Sequence, residues 1–482
     1  MRIAIIHYHL KRGGVTRVIE STLRGFDQLS VVSKCVVLTG ESPDSFSYTQ
    51  DVSIIPGLRY SNSPPATPAP RQLLSDLRKA AKAALGGPPD VWHIHNHSLG
   101  KNLAMPGVVA LLAEEGESIL LQMHDFAEDG RPQNHTTNCS TATPDKLYPD
   151  AENVHYGVIN HRDYNLFLDT GMDATRLHLL SNPVESGCGT EHENEAPQIK
   201  EHFCTDRLIV YPVRAVRRKN FGELLLWAAL DQHDTAYATT LGPTNPNYLA
   251  AYERWQAFGK QHHLPVHFGI AEAHNWSFGG IIEAADTILT TSITEGFGLA
   301  FLEPWLFGKG ICGRDLPAIT EDFKDQGVTL DDLYNSLPIP KAWIDTQKLL
   351  ETLHAALIKV YAAYGRTLPM DAAEQALASI QPTPDTIDFG GLDEDFQERV
   401  ITHIINNPQV KADLPTLGGR ASDSDLQSNA KRIADVYGTF QYAERMIQIY
   451  ESIDQKSEVN YLDPATIVEG FLKPERFRLL LT

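Results

Sequence analysis

Leu208-Ile209-Val210-Tyr211-Pro212-Val213-Arg214-Ala215-Val216-Arg217-Arg218-Lys219-Asn220 is the stretch whose reading decides the fold. Its apolar opening, Leu208 to Tyr211, reads as a buried strand. Four cations in six residues then close the strand, and Phe221 to Leu230 reads as a helix. Strand, polar turn and helix make up the repeating unit of an α/β sheet. Downstream the alternation continues with a strand over Val266 to Gly269, a helix over Phe278 to Ala285 and a strand over Thr287 to Leu289. Upstream it has already run once. Ile3 to Ile6 reads as a strand, and Val15, Val18, Ile19 and Leu23 fall at one-faced helical spacing. Val31 to Leu38, Val91 to Ile94, Ile119 to Met123 and Tyr156 to Ile159 read as further strands. Such alternation predicts two doubly wound, Rossmann-like α/β domains, each with a parallel sheet covered on both faces.

Between the two series, Ser186 to Gln198 turns polar and acidic and reads as a linker. Ser61 to Pro70 and Gly86 to Pro89 read as exposed loops. After about Trp343 the strands are expected to stop, and Leu349, Leu350, Leu353, Leu357, Val360 and Tyr361 repeat at helical spacing. The expected organisation is one domain over 1–190, a second over 191–345 and a helical region over 346–482, with no reading beyond helical for 345–420. The length of 482 residues accommodates that plan.

Hydrophobic residues make up 42% and charged residues 21%, which excludes a disordered chain. Lys+Arg of 41 against Asp+Glu of 61 gives 41 − 61 = −20, a charge that repels nucleic-acid backbones and anionic lipid. Any anionic ligand must therefore be held by a local cluster of cations. Five scattered cysteines without a CxxC pair suit reduced thiols. The opening MRIAIIHYHLKRGG is too briefly apolar for a signal peptide, and no apolar run approaches the roughly 20 residues that cross a bilayer. A cytoplasmic protein without an integral membrane segment is expected.

In open parallel sheets, ligands bind outside the carboxyl ends of the strands. Four places there carry chemistry. Arg214, Arg217, Arg218 and Lys219 suit a diphosphate, although a solvated basic turn has the same composition. Thr294 to Glu303 joins a strand to a glycine-bearing turn and an apolar helix start. Gly296, Phe297, Gly298 and Leu299 offer backbone to an anion there, and Glu295 and Glu303 can accept from hydroxyls, with Glu303 expected about two turns into the helix. Gly13-Gly14 permits close approach but lacks GxGxxG, which disfavours a nicotinamide site. His93, His95 and His97 would share one strand face, with His124 after a later strand. They suit substrate hydroxyls or a satisfied core better than a metal, since no HxHxDH series accompanies them.

With these motifs in place, residues 1 to 320 resemble the retaining glycosyltransferases of family 4, which have the GT-B fold. The resemblance rests on Gly13-Gly14, His124, Ser181-Asn182-Pro183-Val184, the pair Arg214 and Lys219, and the E-x7-E signature from Glu295 to Glu303. It implies a hexosyltransferase that uses a nucleoside-diphosphate sugar (UDP- or GDP-linked) as co-substrate, with no cofactor and no metal. The first domain would lie on the acceptor side, and the second would bind the nucleotide sugar. Arg214 and Lys219 would neutralise the leaving diphosphate. Glu295 with the Gly296–Leu299 backbone would hold the donor sugar and phosphate, Glu303 the ribose, and His124 the sugar from the first domain. Gly13 and Gly14 would let that domain close over the diphosphate. The partner on the other side is a sugar or small hydroxylated acceptor, with Lys101, Asn102 and Arg131 as its candidate contacts. Helices near Asn429 to Ile453 resemble those that return to the first domain. Pro212-Val213, Asn182-Pro183 and Gly310-Ile311-Cys312 depart from the family pattern. The alternatives are a metal-dependent hydrolase using His93, His95, His97 and His124, a catalytically silent sugar-nucleotide-binding protein, and a sugar phosphorylase or epimerase of the same architecture.

Overall fold

Ile3 to Ile6 are all but fully buried, because a strand in the middle of a covered parallel sheet must be apolar on both faces. The computed structural model describes residues 1–43, 46–62, 66–141, 144–185, 195–418, 421–454 and 458–482. Contacts divide the chain into two units. The first comprises Met1–Val184, Ala362–Arg366 and Asp435–Lys473, and the second Glu185–Tyr361, Thr367–Ala434 and Pro474–Thr482. The region expected as a helical tail is thus divided between the two. Most of the expected linker, 186–194, lies outside the described residues.

Along the first unit come Arg2–Ile6 (β1), Lys34–Thr39 (β2), Val52–Ile54 (β3), Val91–His95 (β4), Ile119–Met123 (β5), Pro149–Asp150 (β6), Val154–Val158 (β7) and Leu177–Leu179 (β8). All but β6 form one sheet, ordered β3-β2-β1-β4-β5-β7-β8. Every pairing in it is parallel. The helix Gly14–Phe26 buries Val18, Ile19, Leu23 and Phe26 in a core shared with Tyr442, Met446 and Tyr450 of the helix Thr439–Ser452. The two helices approach so closely that a Cβ on Gly25 would stand 2.5 Å from the Ala443 Cβ.

The second unit carries Arg207–Arg214 (β9), Thr235–Leu241 (β10), Val266–His267 (β11), Thr287–Thr290 (β12), Ile311–Arg314 (β13) and Leu333–Tyr334 (β14), ordered β11-β10-β9-β12-β13-β14 and again parallel throughout. Renumbered from its own first strand, this sheet runs 3-2-1-4-5-6, the Rossmann order. In both sheets the strand order reverses beside the first strand, between β1 and β4 in one and between β9 and β12 in the other.

Several expectations need correction. Gly269 is not in a strand; its φ of 67° ends the extended run and opens the helix Ile270–His274. Strands do not stop at Trp343. Pro338–Pro340 (β15) pairs antiparallel with Thr386–Asp388 (β16), and Asn460–Tyr461 (β17) pairs with β6. Strands this short carry too little pattern to be read from sequence. The leucine spacing does form a helix, Thr346–Ala363, burying Leu349, Leu353, Leu357 and Tyr361. Among the described residues, no helix is long and apolar enough to cross a membrane.

Candidate active site

The reversal of strand order between β9 and β12 opens the loops that follow both strands, and the two conspicuous motifs of the second unit leave from these two strands. Arg214 is the last residue of β9 and is half-buried. Lys219 ends a short 3-10 turn, Arg217–Lys219, and its ammonium forms an ion pair with the Glu295 carboxylate. The turns are laced together: the Ile293 amide donates to the Arg218 carbonyl at 3.0 Å. Burial alone would raise the Glu295 carboxyl, but Lys219 and then Arg218 outweigh it and hold the group below the usual carboxylate range. Glu295 is therefore a fixed anion, able to accept from a sugar hydroxyl.

A set of hydroxyls braces this arrangement from beneath. Tyr211 Oη lies 2.6 Å from Ser292 Oγ and donates to the Lys219 carbonyl at 3.2 Å. Thr291 Oγ1 donates to the same carbonyl at 2.9 Å. Burial, and then the charge of Glu295, push the Tyr211 phenol up, so it stays protonated. Tyr211, Thr291 and Ser292 escape a search for charged motifs. Their signal is a polar tip on an otherwise apolar strand and two hydroxyl residues immediately after another.

Not every cation of the basic run faces this site. Arg217 turns away, and its Nε and Nη2 bond the two Glu394 oxygens at 2.6 Å each. Arg214 forms no ion pair or side-chain hydrogen bond among the described residues. Glu303 does not lie two turns into a helix. Gly298, with φ 88°, leads into a 3-10 turn over Leu299–Phe301, and Glu303 opens a separate short helix, Glu303–Leu306. Pro304 explains the break, since it supplies no amide and suits a first turn. Phe297 is buried against Phe323, so its side chain belongs to the core.

In the first unit the corresponding loops follow β1, β4 and β5. Gly13 caps the helix that Gly14 starts, and its φ of 178° is ordinary extended backbone. Asn96, with φ 53°, turns the chain at the end of β4, and its Oδ1 accepts from the amides of His124 at 2.7 Å and Asp125 at 3.2 Å. Asn96 thereby seats His124 at the end of β5. His124 Nε2 lies 3.0 Å from His95 Nδ1, with the rings stacked. Burial takes the His124 ring down to about 4, so it is a neutral hydrogen-bonding group at pH 7.

The histidines of the hydrolase alternative do not share one strand face. β4 ends at His95, and the turn at Asn96 carries His97 away to the Leu147 carbonyl, 2.7 Å from its Nε2. His93 spends both ring nitrogens, on Gln122 at 3.0 Å and Tyr450 at 2.8 Å. No group of three or more His, Cys, Asp or Glu side chains among the described residues is placed to hold a metal ion. Of the acceptor candidates, Asn102 is committed internally. Its Nδ2 donates to the Gly57 and Arg59 carbonyls at 2.8 and 2.7 Å. Arg131 is paired with Asp125 and folded onto the Phe126 carbonyl. Lys101 Nζ sits 5.5 Å above the Tyr60 ring, whose hydroxyl meets His9 Nε2 at 2.9 Å.

Two Rossmann-like units, each with a parallel sheet whose strand order reverses beside its first strand, define the GT-B class of fold. Solved structures are similar in that fold. Anabaena HepE in complex with UDP and glucose is similar at a TM-score of 0.55, with 11% identity, covering 94% of this chain and 100% of that one. Sucrose-phosphate synthase from Thermosynechococcus elongatus is similar at a TM-score of 0.52, with 12% identity, covering 93% and 98%. No family model matches the chain. Among curated proteins, mannosylglucosyl-3-phosphoglycerate synthase from Petrotoga mobilis is 25% identical over 351 residues, which is 67% of this chain. The chain spans 66% of that relative's length.

Proposed function

We propose that this protein is a retaining, metal-independent glycosyltransferase that moves a hexosyl group from a nucleoside-diphosphate sugar to an acceptor hydroxyl. The observation that carries the reading is the Lys219–Glu295 pair, with Arg218 beside it, at the reversal point between β9 and β12. Glycosyl transfer builds positive charge on the sugar ring and negative charge on the departing phosphate. Cations and dipoles already in place for that charge lower the barrier most. Arg214 and Lys219 take the diphosphate. Glu295 and the backbone from Gly296 to Leu299 hold the sugar and phosphate, and Glu303 takes the ribose hydroxyls. His124, neutral, bonds a donor sugar hydroxyl. The bond from the anomeric carbon to the phosphate oxygen breaks, the acceptor oxygen bonds to that carbon on the same face, and the acceptor's proton passes to the departing phosphate oxygen.

The curated relative supports a phosphorylated glyceric-acid glucoside as the first acceptor class to try. Calorimetry against UDP, GDP and ADP, with and without EDTA, tests the donor side. Product analysis with the sugar nucleotide that binds, using glucosyl-3-phosphoglycerate as acceptor, tests the transfer. Absence of binding by all three nucleotides would sink the reading, and loss of activity in EDTA would sink its metal-independent part.

A further inference from the structure

Residues 345–420 supply the helix Glu394–Asn406 and the strand β16 to the second unit. These elements converge on Asn220, the residue after Lys219. Asn220 is 1% exposed, and its φ of 51° lies in the left-handed region that few residues other than glycine adopt. Both ends of its amide are used. Nδ2 donates to Glu223 Oε2 at 2.7 Å, and Oδ1 accepts from Gln397 Nε2 at 2.8 Å. Gln397 also donates to the Phe389 carbonyl at 3.2 Å and packs over Gly222, where a Cβ would stand 2.1 Å from Gln397 Oε1. Glu223 is gripped by Arg314 at 2.6 Å, and Arg314 by Asp388 of β16 at 2.8 Å. On the backbone side, Thr291 Oγ1 donates to the Asn220 carbonyl at 3.1 Å as well as to that of Lys219.

We infer that Asn220 is a positioning residue for the diphosphate grip and Gln397 its anchor. Through them the Glu394–Asn406 helix sets the turn so that Lys219 stays on Glu295. Arg217 and Lys219, at the two ends of the turn, are drawn to Glu394 and Glu295 respectively. The amide of Asn220, bonded on both sides in the interior, fixes the backbone from which Lys219 reaches Glu295. The inference rests on the donor-site reading given above.

Asn220→Gly is the informative variant, because glycine keeps the left-handed backbone and removes both amide bonds. Gln397→Ala removes the anchor from the other side. UDP and GDP are titrated calorimetrically into the full chain, with thermal melting in parallel. Each single variant is expected to melt cooperatively and to bind nucleotide about tenfold more weakly. The double variant is expected to bind no more weakly than Asn220→Gly alone, since both changes break one linkage. Wild-type affinity in both single variants, alongside weakened binding by Lys219→Ala, would overturn the positioning role and leave the donor site standing. Fully additive losses would also overturn it. Unchanged binding in Lys219→Ala would defeat the donor-site reading and the inference together.

Discussion

Lys219 and Arg214 have different surroundings and are expected to respond differently to substitution. Lys219→Ala leaves the Glu295 carboxylate buried without its main partner, so it is expected to cost some stability as well as turnover. Arg214→Ala breaks no ion pair among the described residues. It is expected to lower kcat by roughly 10²–10³, the usual cost of removing one donor aimed at developing charge, with the melting temperature nearly unchanged. Wild-type rates in Arg214→Ala would remove it from the grip. Glu303→Ala is expected to weaken free nucleoside diphosphate binding chiefly, which calorimetry reads directly. At this scale the sequence was informative where residue type decides the outcome: paired cations and a carboxylate after two strands could be found by inspection. The fate of Arg217 could not, because it depends on Glu394, 177 positions further on. Nor could that of Asn102, whose partners are backbone carbonyls of another loop.

Among elements, the strands that were legible are those with apolar runs, such as β1, β5 and β9. Among the missed ones, β10 is the longest; it reads Thr-Ala-Tyr-Ala-Thr-Thr-Leu, yet it is buried along nearly its whole length. Small and hydroxyl side chains let it sit in the sheet without the pattern that announces a strand. The β13 strand and the helix Phe221–Leu230 are tied together by Arg314, which bonds both Glu223 and Asp388 and is itself 4% exposed. Arg314→Met would strand two buried carboxylates. The expected cost is about 3–5 kcal/mol in chemical denaturation, the range seen when one partner of a buried ion pair is removed. A loss under 1 kcal/mol would mean that water reaches the network. Gly25→Ala offers a second check. Its Cβ would collide with Ala443, and overpacking of that kind costs about 1–3 kcal/mol.

For the molecule as a whole, the first unit is expected to be acid-sensitive. Burial lowers His7 and His93 to about 3 and His97 and His124 to about 4, from an ordinary value of 6.5. Unfolded histidines take up protons as pH falls below 6.5, whereas these do not, so the folded state loses ground steadily from there toward pH 4. Glu128, raised by burial to about 7, works the other way, since its stability falls as pH rises between 4.5 and 7. The lowered histidines outnumber it, since His155 and His178 are also taken down to about 4 by burial. Melting temperatures measured from pH 7.5 down to 4.5 should fall, and a flat profile would mean that the histidines gain solvent. The two-unit α/β plan was legible because alternation of strand and helix repeats over hundreds of residues. The division of the last third between units was not, because it depends on which apolar face each late helix covers.

That division has a consequence for how the chain is made. The helix Gly14–Phe26 leaves the ribosome before Tyr442, Met446 and Tyr450, which complete its core and follow more than 400 residues later. At translation speeds of about 5–20 residues per second, that interval is roughly 20–80 s. During synthesis the early α/β segment must wait with an oily flank uncovered, so it is there that a holding chaperone would first be needed.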